Sequence, residues 1–508
     1  PEAYIEVGNA HLKNRNYNLA IESYQKAIEL NPGFFEAFTA IGVAYTESNR
    51  DKQAIEPLKN ALKINPDDDV AYLNLGIAYK NIGQHEEAID AFLGLIRIRF
   101  KDPDAYFLLA SQYFAEDLYD DAIQGFKDAI RLYPDHIDAH FQLSQVYDET
   151  GDLKKSLSEF EKVTQIQPSN LEGHYRKGDI FQRLGDEKAA AQSFEQALKI
   201  NSDHTLSNYQ LGLSYIKMDR HRDALEKFEK AIESDSRFPE AYFRRGSVLA
   251  YLMRFKKAID PLKKAINLNP KFVKAYYELG NAYNHLNQYE KAIDSLMEVV
   301  RINKFHANAY LALGLAHSKL EQYDPTIIHL QKALDLNPKL EEAFYPLGLS
   351  LMKVGRFEDA SVLLSKTKTE NPDYPKIQNQ LGMGFLKLKK YAKAISFFKK
   401  AIKSDPSFTT PYFNLGSTYT SLSRHSQAIQ YLKEGINLEP NNIKGHYNLA
   451  LVYDILGRNQ DAVGEYRKVA QLNPDYPNIY YNIGWALIEL KKYIEALVPL
   501  KKSIRLNP

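Results

Sequence analysis

Apolar residues recur along this chain with helical spacing, in paired segments. Within residues 67–100, Ala71, Leu75, Ala78 and Tyr79 stand three or four apart, or side by side on one face. Ala88, Ile89, Phe92 and Ile96 do the same further on. That spacing gathers apolar side chains on one side of an α-helix. Gly83 lies between the two segments, where glycine takes a positive φ at little cost. Asn65-Pro66 closes the preceding segment, since proline cannot continue a helix. The pattern predicts two antiparallel helices joined by a tight turn.

The pattern returns every 34 residues through the whole chain. Proline marks the register at Pro32, Pro66, Pro134 and onward to Pro508, with Phe100, Ser202, Ser236 and Lys304 in the remaining slots. With this proline as position 32 of each repeat, glycine holds position 8 in twelve repeats, from Gly8 to Gly484, and Ala110, Ser144 and Ala450 hold the other three. Position 20 is small throughout, from Ala20 to Ala496, with Ser156 and Thr326 as its two hydroxyl variants. Gly83, Gly151, Gly185, Gly355 and Gly457 share the turn position. Boundaries fall after residues 32, 66, 100, 134, 168, 202, 236, 270, 304, 338, 372, 406, 440 and 474, so residues 1–508 read as one continuous array of fifteen repeats. Repeat eleven departs from the pattern, with Pro346 inside its first helix and Thr367 at a small position.

The order Tyr72, Leu75, Gly76, Tyr79, Ala88, Phe92 resembles the tetratricopeptide repeat (TPR) family. The resemblance implies an all-α, right-handed superhelical solenoid of antiparallel helix pairs. Fifteen repeats would complete about two superhelical turns, with first helices lining a concave groove that binds protein or extended peptide ligands. The array begins at Pro1 rather than Met, and Ile494, Leu497, Leu500 and Ile504 of its last helix call for cover. It therefore reads as a segment of a longer chain.

In this family position 5 lines the groove. Here it holds Phe107, Phe141, Tyr175, Tyr209, Phe243, Tyr277, Tyr345, Phe413, Tyr447 and Tyr481, ten aromatics in fifteen repeats. Such a stripe offers either a sticky shelf for a ligand or packing between neighbouring first helices. Position 6 carries Asn74, Asn414, Asn448 and Asn482, the last three in consecutive repeats. This resembles the asparagine ladder of the TPR region of protein O-linked N-acetylglucosamine transferases, where Asn holds a peptide backbone as donor and acceptor. A TPR targeting region of a larger enzyme such as a glycosyltransferase is one alternative that follows. Chaperone co-factors of the family grip a C-terminal carboxylate with an initial Lys at position 5. That Lys is missing here, although Arg176 and Arg244 hold the final Arg position, so no carboxylate clamp is expected.

Composition narrows the chemistry. The chain has no cysteine, which excludes disulfides, thiolate metal sites and a cysteine nucleophile. No glycine-rich phosphate loop, HExxH or EF-hand spacing occurs, so neither cofactor, metal nor catalysis is expected. No run of apolar residues is long enough to span a bilayer. Net charge is +1, but it is unevenly distributed: residues 67–168 hold 20 acidic and 9 basic side chains. Basic clusters lie later, at Arg244, Arg245, Lys256 and Lys257, and at Lys389, Lys390 and Lys393. Bulk charge argues against a nucleic-acid partner. The segregation raises a second reading, self-association into head-to-tail oligomers or filaments. The leading expectation is a non-catalytic protein-interaction scaffold, with Asn414, Asn448 and Asn482 as anchors and Phe413, Tyr447 and Tyr481 as an apolar shelf.

Overall fold

A computed structural model describes residues 1–364 and 373–506; Thr367, Pro372 and Pro508 lie outside them. The described residues form thirty α-helices, numbered in chain order, and one 3-10 turn, with no strand. They fall into two compact units, Pro1–Leu252 and Met253–Pro508. The first holds α1 (Glu2–Lys13) through α15 (Pro239–Tyr251), and the second α16 (Phe255–Leu268) through α30 (Tyr493–Leu506). Within each unit a helix packs on its immediate neighbours in the chain, and first helices also touch the first helix of the next repeat. Contacts confined to sequence neighbours define a solenoid of helix pairs.

The pairs close on a single contact. Tyr24, Leu58, Phe92, Phe126, Phe160, Phe194, Phe228, Phe398 and Tyr466 are among the largest fully buried side chains, and all occupy position 24 of the second helix. Each faces position 8 of its own first helix. A methyl carbon at Gly212 would stand 2.7 Å from Phe228 Cε1, and one at Gly178 would stand 2.5 Å from Phe194 Cε1. At Gly212 and Gly178 glycine is required because the ring lies where a Cβ would be. Repeat four carries Ala110 instead and recovers the space on the other helix. A Cβ at Gly125 would lie 2.8 Å from that of Ala110.

All fifteen inter-helix turns put one residue in the left-handed region. Five are the turn glycines, from Gly457 at φ 71° to Gly355 at φ 86°. The other ten are not glycine: Arg15, Asn49, Asp117, Asp219, Met253, Asn287, Glu321, Lys389, Ser423 and Lys491 have φ between 55° and 60°. Outside the Met253 turn, the cause is the hydrogen-bond pattern that ends the first helix. After α5 (Asp69–Asn81), the backbone N–H of Gln84 donates to Tyr79 O at 2.9 Å. A six-residue closure of this kind requires the left-handed residue inside it.

Seven first helices begin on side-chain caps at position 34. Asp68, Asp102, Asn170 and Asn442 accept from backbone N–H groups of the first turn. His136, His204 and His306 do so through Nδ1. Capping satisfies a donor that the helix start leaves free. Asp68 also accepts from Thr39 Oγ1 of the repeat before, so the acidic run at residues 67–69 is used in capping and repeat joining.

Position 4 ties the inter-repeat loop down. Tyr106, His140, His174, Asn208, Tyr412 and His446 each bond the backbone carbonyl six residues earlier. His140 and His446 also reach a carboxylate, Glu159 and Glu465, at 2.6 Å each. Repeat eleven starts differently. A 3-10 turn at Glu341–Ala343 precedes α21 (Phe344–Lys353), so Pro346 sits in the first turn of the α-helix. The first turn is where an absent N–H costs least. Pro57, Pro261 and Pro499 lie inside second helices that continue through them.

Gly212→Ala should destabilise the first unit by about 1–3 kcal/mol through overpacking against Phe228, read as a lower urea midpoint; an unchanged midpoint would contradict the required-glycine account. For His140, burial opposes protonation, but the Glu159 hydrogen bond and the Pro134 carbonyl outweigh it and raise the pKa above the usual histidine value. The stabilisation is therefore complete below the unfolded pKa of about 6.5 and is lost as pH rises through the folded value. Thermal melts should show that loss between weakly acidic and alkaline pH, and Glu159→Gln should flatten it.

Candidate functional site

The first-helix face carries positions 5, 6 and 9. The aromatics of position 5 sit between two partners. Phe107 lies 5.9 Å from Phe126 and 5.0 Å from His136, centroid to centroid. Tyr175 lies 5.9 Å from Phe194 and 5.5 Å from His204. Tyr209 meets Phe228 and Phe238, and Tyr447 meets Tyr466 and Tyr476. In each of these sets, one partner is the position 24 core residue of the same repeat and the other opens the next repeat. Tyr277 likewise lies 4.8 Å from His306, which opens the next repeat. Phe243 is buried, with the Arg244 guanidinium over it. Phe413 lies against Gly435 and Gly445, where a Cβ would come within 2.8 and 2.5 Å of its Cε1. Phe107, Tyr175, Tyr209, Tyr277, Tyr447 and Phe413 therefore join repeats. Tyr481 differs: it is 49% exposed and stacks on Trp485, itself 47% exposed.

The amides of position 6 divide in the same way. Asn74 accepts from Thr46 Oγ1 at 3.1 Å, and Gln142 accepts from Ser111 Oγ at 2.8 Å. Asn414 Nδ2 donates to Asn379 Oδ1 at 2.8 Å. Each links one repeat to the repeat before it. Asn448 on α27 (Ile443–Ile455) and Asn482 on α29 (Ile479–Glu489) are half-buried, and their side chains have no hydrogen-bond partner among the described residues. The structure thus separates Asn414 from its two neighbours in sequence register. It also adds Trp485, one helical turn beyond Tyr481 and the only tryptophan of the chain. Ile455, 60% exposed, extends the apolar surface on α27.

Electrostatics differ along this face. Asp454 on α27 is held above the usual carboxylate range by burial, reinforced by the charge of Glu489. Of the basic residues, Arg245 pairs with Glu229 at 2.8 Å and Lys390 with Glu358 at 2.8 Å. Lys256, Lys257, Lys389 and Lys393 form no ion pair among the described residues, and Arg244 is turned onto Phe243. Among the described residues no three His, Asp or Glu side chains are grouped to hold a metal, and no helix is long and apolar enough to cross a membrane.

A protein of stacked helical hairpins, closed by a bulky apolar side chain of one helix against a small residue of the other, belongs to the helical repeat class. Tetratricopeptide repeat models match residues 1–34, 73–137, 113–177, 171–204, 209–271, 262–294, 307–340, 375–408, 410–442 and 477–508, and a TPR repeat model matches 44–83, 280–321 and 455–490. The chain belongs to the tetratricopeptide repeat family, and in general terms it is a protein-interaction scaffold. No curated protein matches it in sequence. Among solved structures it is similar to YrrB, described as a TPR protein with an unusual peptide-binding site, at 21% identity over 37% of this chain and 96% of that one, TM-score 0.35. It is similar to MamA at 30% identity over 32% of this chain and 95% of that one, TM-score 0.31. Naa15/Naa10 bound to HypK-THB matches at 13% identity over 99% of each chain, TM-score 0.35.

The core of repeat fourteen supplies a test of the packing role. Tyr466 hydroxyl is buried with no partner among the described residues, and burial pushes its pKa up. Tyr24 holds the same position but donates to Asn9 Oδ1 at 2.9 Å; repeat fourteen has Leu451 where Asn9 stands. Tyr466→Phe should raise stability by about 1 kcal/mol, and Tyr24→Phe should lower it by a similar amount. Urea unfolding of the two variants decides it; equal effects would remove the distinction.

Proposed function

We propose that this chain binds an extended segment of a partner protein on the first-helix face of repeats thirteen to fifteen. The observation that carries this reading is the pair of unbonded amides, Asn448 and Asn482, one repeat apart beside the exposed Tyr481–Trp485 stack. An asparagine side chain can donate to a peptide carbonyl and accept from a peptide N–H together. Neighbouring packed helices lie about 8–10 Å apart, and an extended chain advances about 3.3 Å per residue. Amides one repeat apart therefore meet the ligand backbone every third residue. Trp485 and Tyr481 offer large apolar area at low entropic cost, which suits an apolar ligand side chain. Tyr447 and Phe413 support that surface from beneath, and Asn414, held by Asn379, contributes less.

The sole tryptophan makes the test direct. Peptides selected from a displayed library against the wild-type chain should change Trp485 emission on binding. The double substitution Asn448→Ala and Asn482→Ala should weaken those peptides roughly tenfold or more and leave the melting temperature unchanged. Asn414→Ala should have the smaller effect on affinity and the larger on stability. Selected peptides that bind the double variant as tightly, or leave Trp485 emission unmoved, would refute the groove reading.

A further inference from the structure

The exposed side of α24 (Tyr391–Ser404) is made of Ala392, Lys393, Ser396, Lys399, Lys400, Lys403 and Ser404. It carries four lysines and no acid, and none of the four forms an ion pair among the described residues. Some surface lysines elsewhere on this chain do find partners: Lys155 reaches Asp152 at 2.6 Å and Lys217 reaches Glu187 at 2.6 Å. Nor are the charges placed to favour their own helix. The first turn of α24 has no acidic residue and holds Lys393, with Lys390 as its N-cap. Cations at that end oppose the helix dipole. Three of the four ammonium groups lie over rings: Lys393 over Phe385 at 5.3 Å, Lys399 over Tyr431 at 5.9 Å and Lys400 over Phe397 at 4.9 Å. A cation held on an aromatic face has less rotamer freedom left to lose when a partner arrives.

The complementary surface lies in the other unit. Glu86 and Glu87 open α6 (His85–Ile98), and Asp120 and Asp121 open α8 (Tyr119–Leu132) at the equivalent positions of the next repeat. All four are exposed and form no ion pair among the described residues. Glu116 and Asp117 in the turn before α8 extend the same edge, also exposed and unpaired with any cation among the described residues. No basic side chain lies between Glu116 and Lys127. Two consecutive repeats thus present carboxylates at a fixed repeat spacing, and the lysine face spans a full helix.

We propose that the lysine face of α24 is an interface for a second copy of this chain, and that its occupant is the acidic edge formed by the starts of α6 and α8. The contact pairs unlike surfaces, so each copy contributes one donor face and one acceptor face. Its attraction is electrostatic and falls with salt, because exposed charges are screened within about 10 Å at 0.1 M. This association is independent of the peptide groove on α27 and α29.

Charge reversal on each face tests it. Sedimentation velocity of the wild-type chain across a concentration series should show association at low salt that disappears at high salt. Lys393→Glu with Lys399→Glu and Lys400→Glu should weaken it roughly tenfold or more, as should Asp120→Lys with Asp121→Lys and Glu87→Lys. All these positions are solvent-exposed, and circular dichroism melts establish that each variant keeps its fold. An equimolar mixture of the two reversed variants should associate again, because each supplies the charge the other now lacks. A wild-type chain that stays monomeric at low salt overturns the proposal. So does a mixture that fails to recover association, or lysine-dependent binding of an oligonucleotide without self-association.

Discussion

A bulky apolar side chain of one helix resting on a small residue, mostly glycine, of the other is the contact on which the rest of this molecule depends. Position 24 brings Phe, Tyr or Leu down from the second helix, and position 8 of the first helix leaves space for it. Close approach of the two helices follows, and with it the small residues at position 20. The ring then has a second face, and position 5 of the first helix covers it. The same position 5 ring touches the residue that opens the next repeat. In repeats four, six, seven and fourteen, intrarepeat closure and inter-repeat stacking thus share one aromatic seam.

That seam holds Phe107, Tyr175, Tyr209 and Tyr447 between two partners each and leaves them only partly exposed. A side chain clamped between its own core and the next repeat has little surface left to offer. The most exposed rings lie where the seam is incomplete. Tyr481 stacks on Trp485 of its own helix, and both stay about half exposed. Polar groups follow the same logic. An amide at position 6 becomes structural whenever the preceding repeat supplies a partner, as Thr46, Ser111 and Asn379 do. Asn448 and Asn482 have no such partner among the described residues, and so keep their hydrogen-bonding capacity.

Much of the fold could be read from the residues because its determinants are single positions in a fixed register. The period, the two helices per repeat and the close approach at Gly8 and its equivalents all leave compositional marks. Other features leave none. The left-handed turn was visible in five repeats through glycine, whereas Arg15, Asn49 and Glu321 hold the same conformation under the closure of the helix end. Histidine is an uncommon cap, so His136 and His204 gave no hint that they would accept at a helix start. The asparagine ladder looked uniform because sequence register cannot show which neighbour reaches back. Only the packed first helices separate Asn414 from Asn448 and Asn482. Trp485 carried a readable signal, a lone tryptophan one helical turn from Tyr481, but it stands outside the asparagine register and so was not among the expected anchors.

The ten non-glycine turns have a consequence for how such an array ages in sequence. Outside the Met253 turn, backbone geometry there is dictated by the hydrogen-bond closure, so the side chain is free to vary while bearing a conformational penalty of about 1–2 kcal/mol. Each of these sites holds a small reserve of stability that glycine could release without disturbing any packed surface. Drift in the array can thus be absorbed at its turns while its faces are altered for new partners.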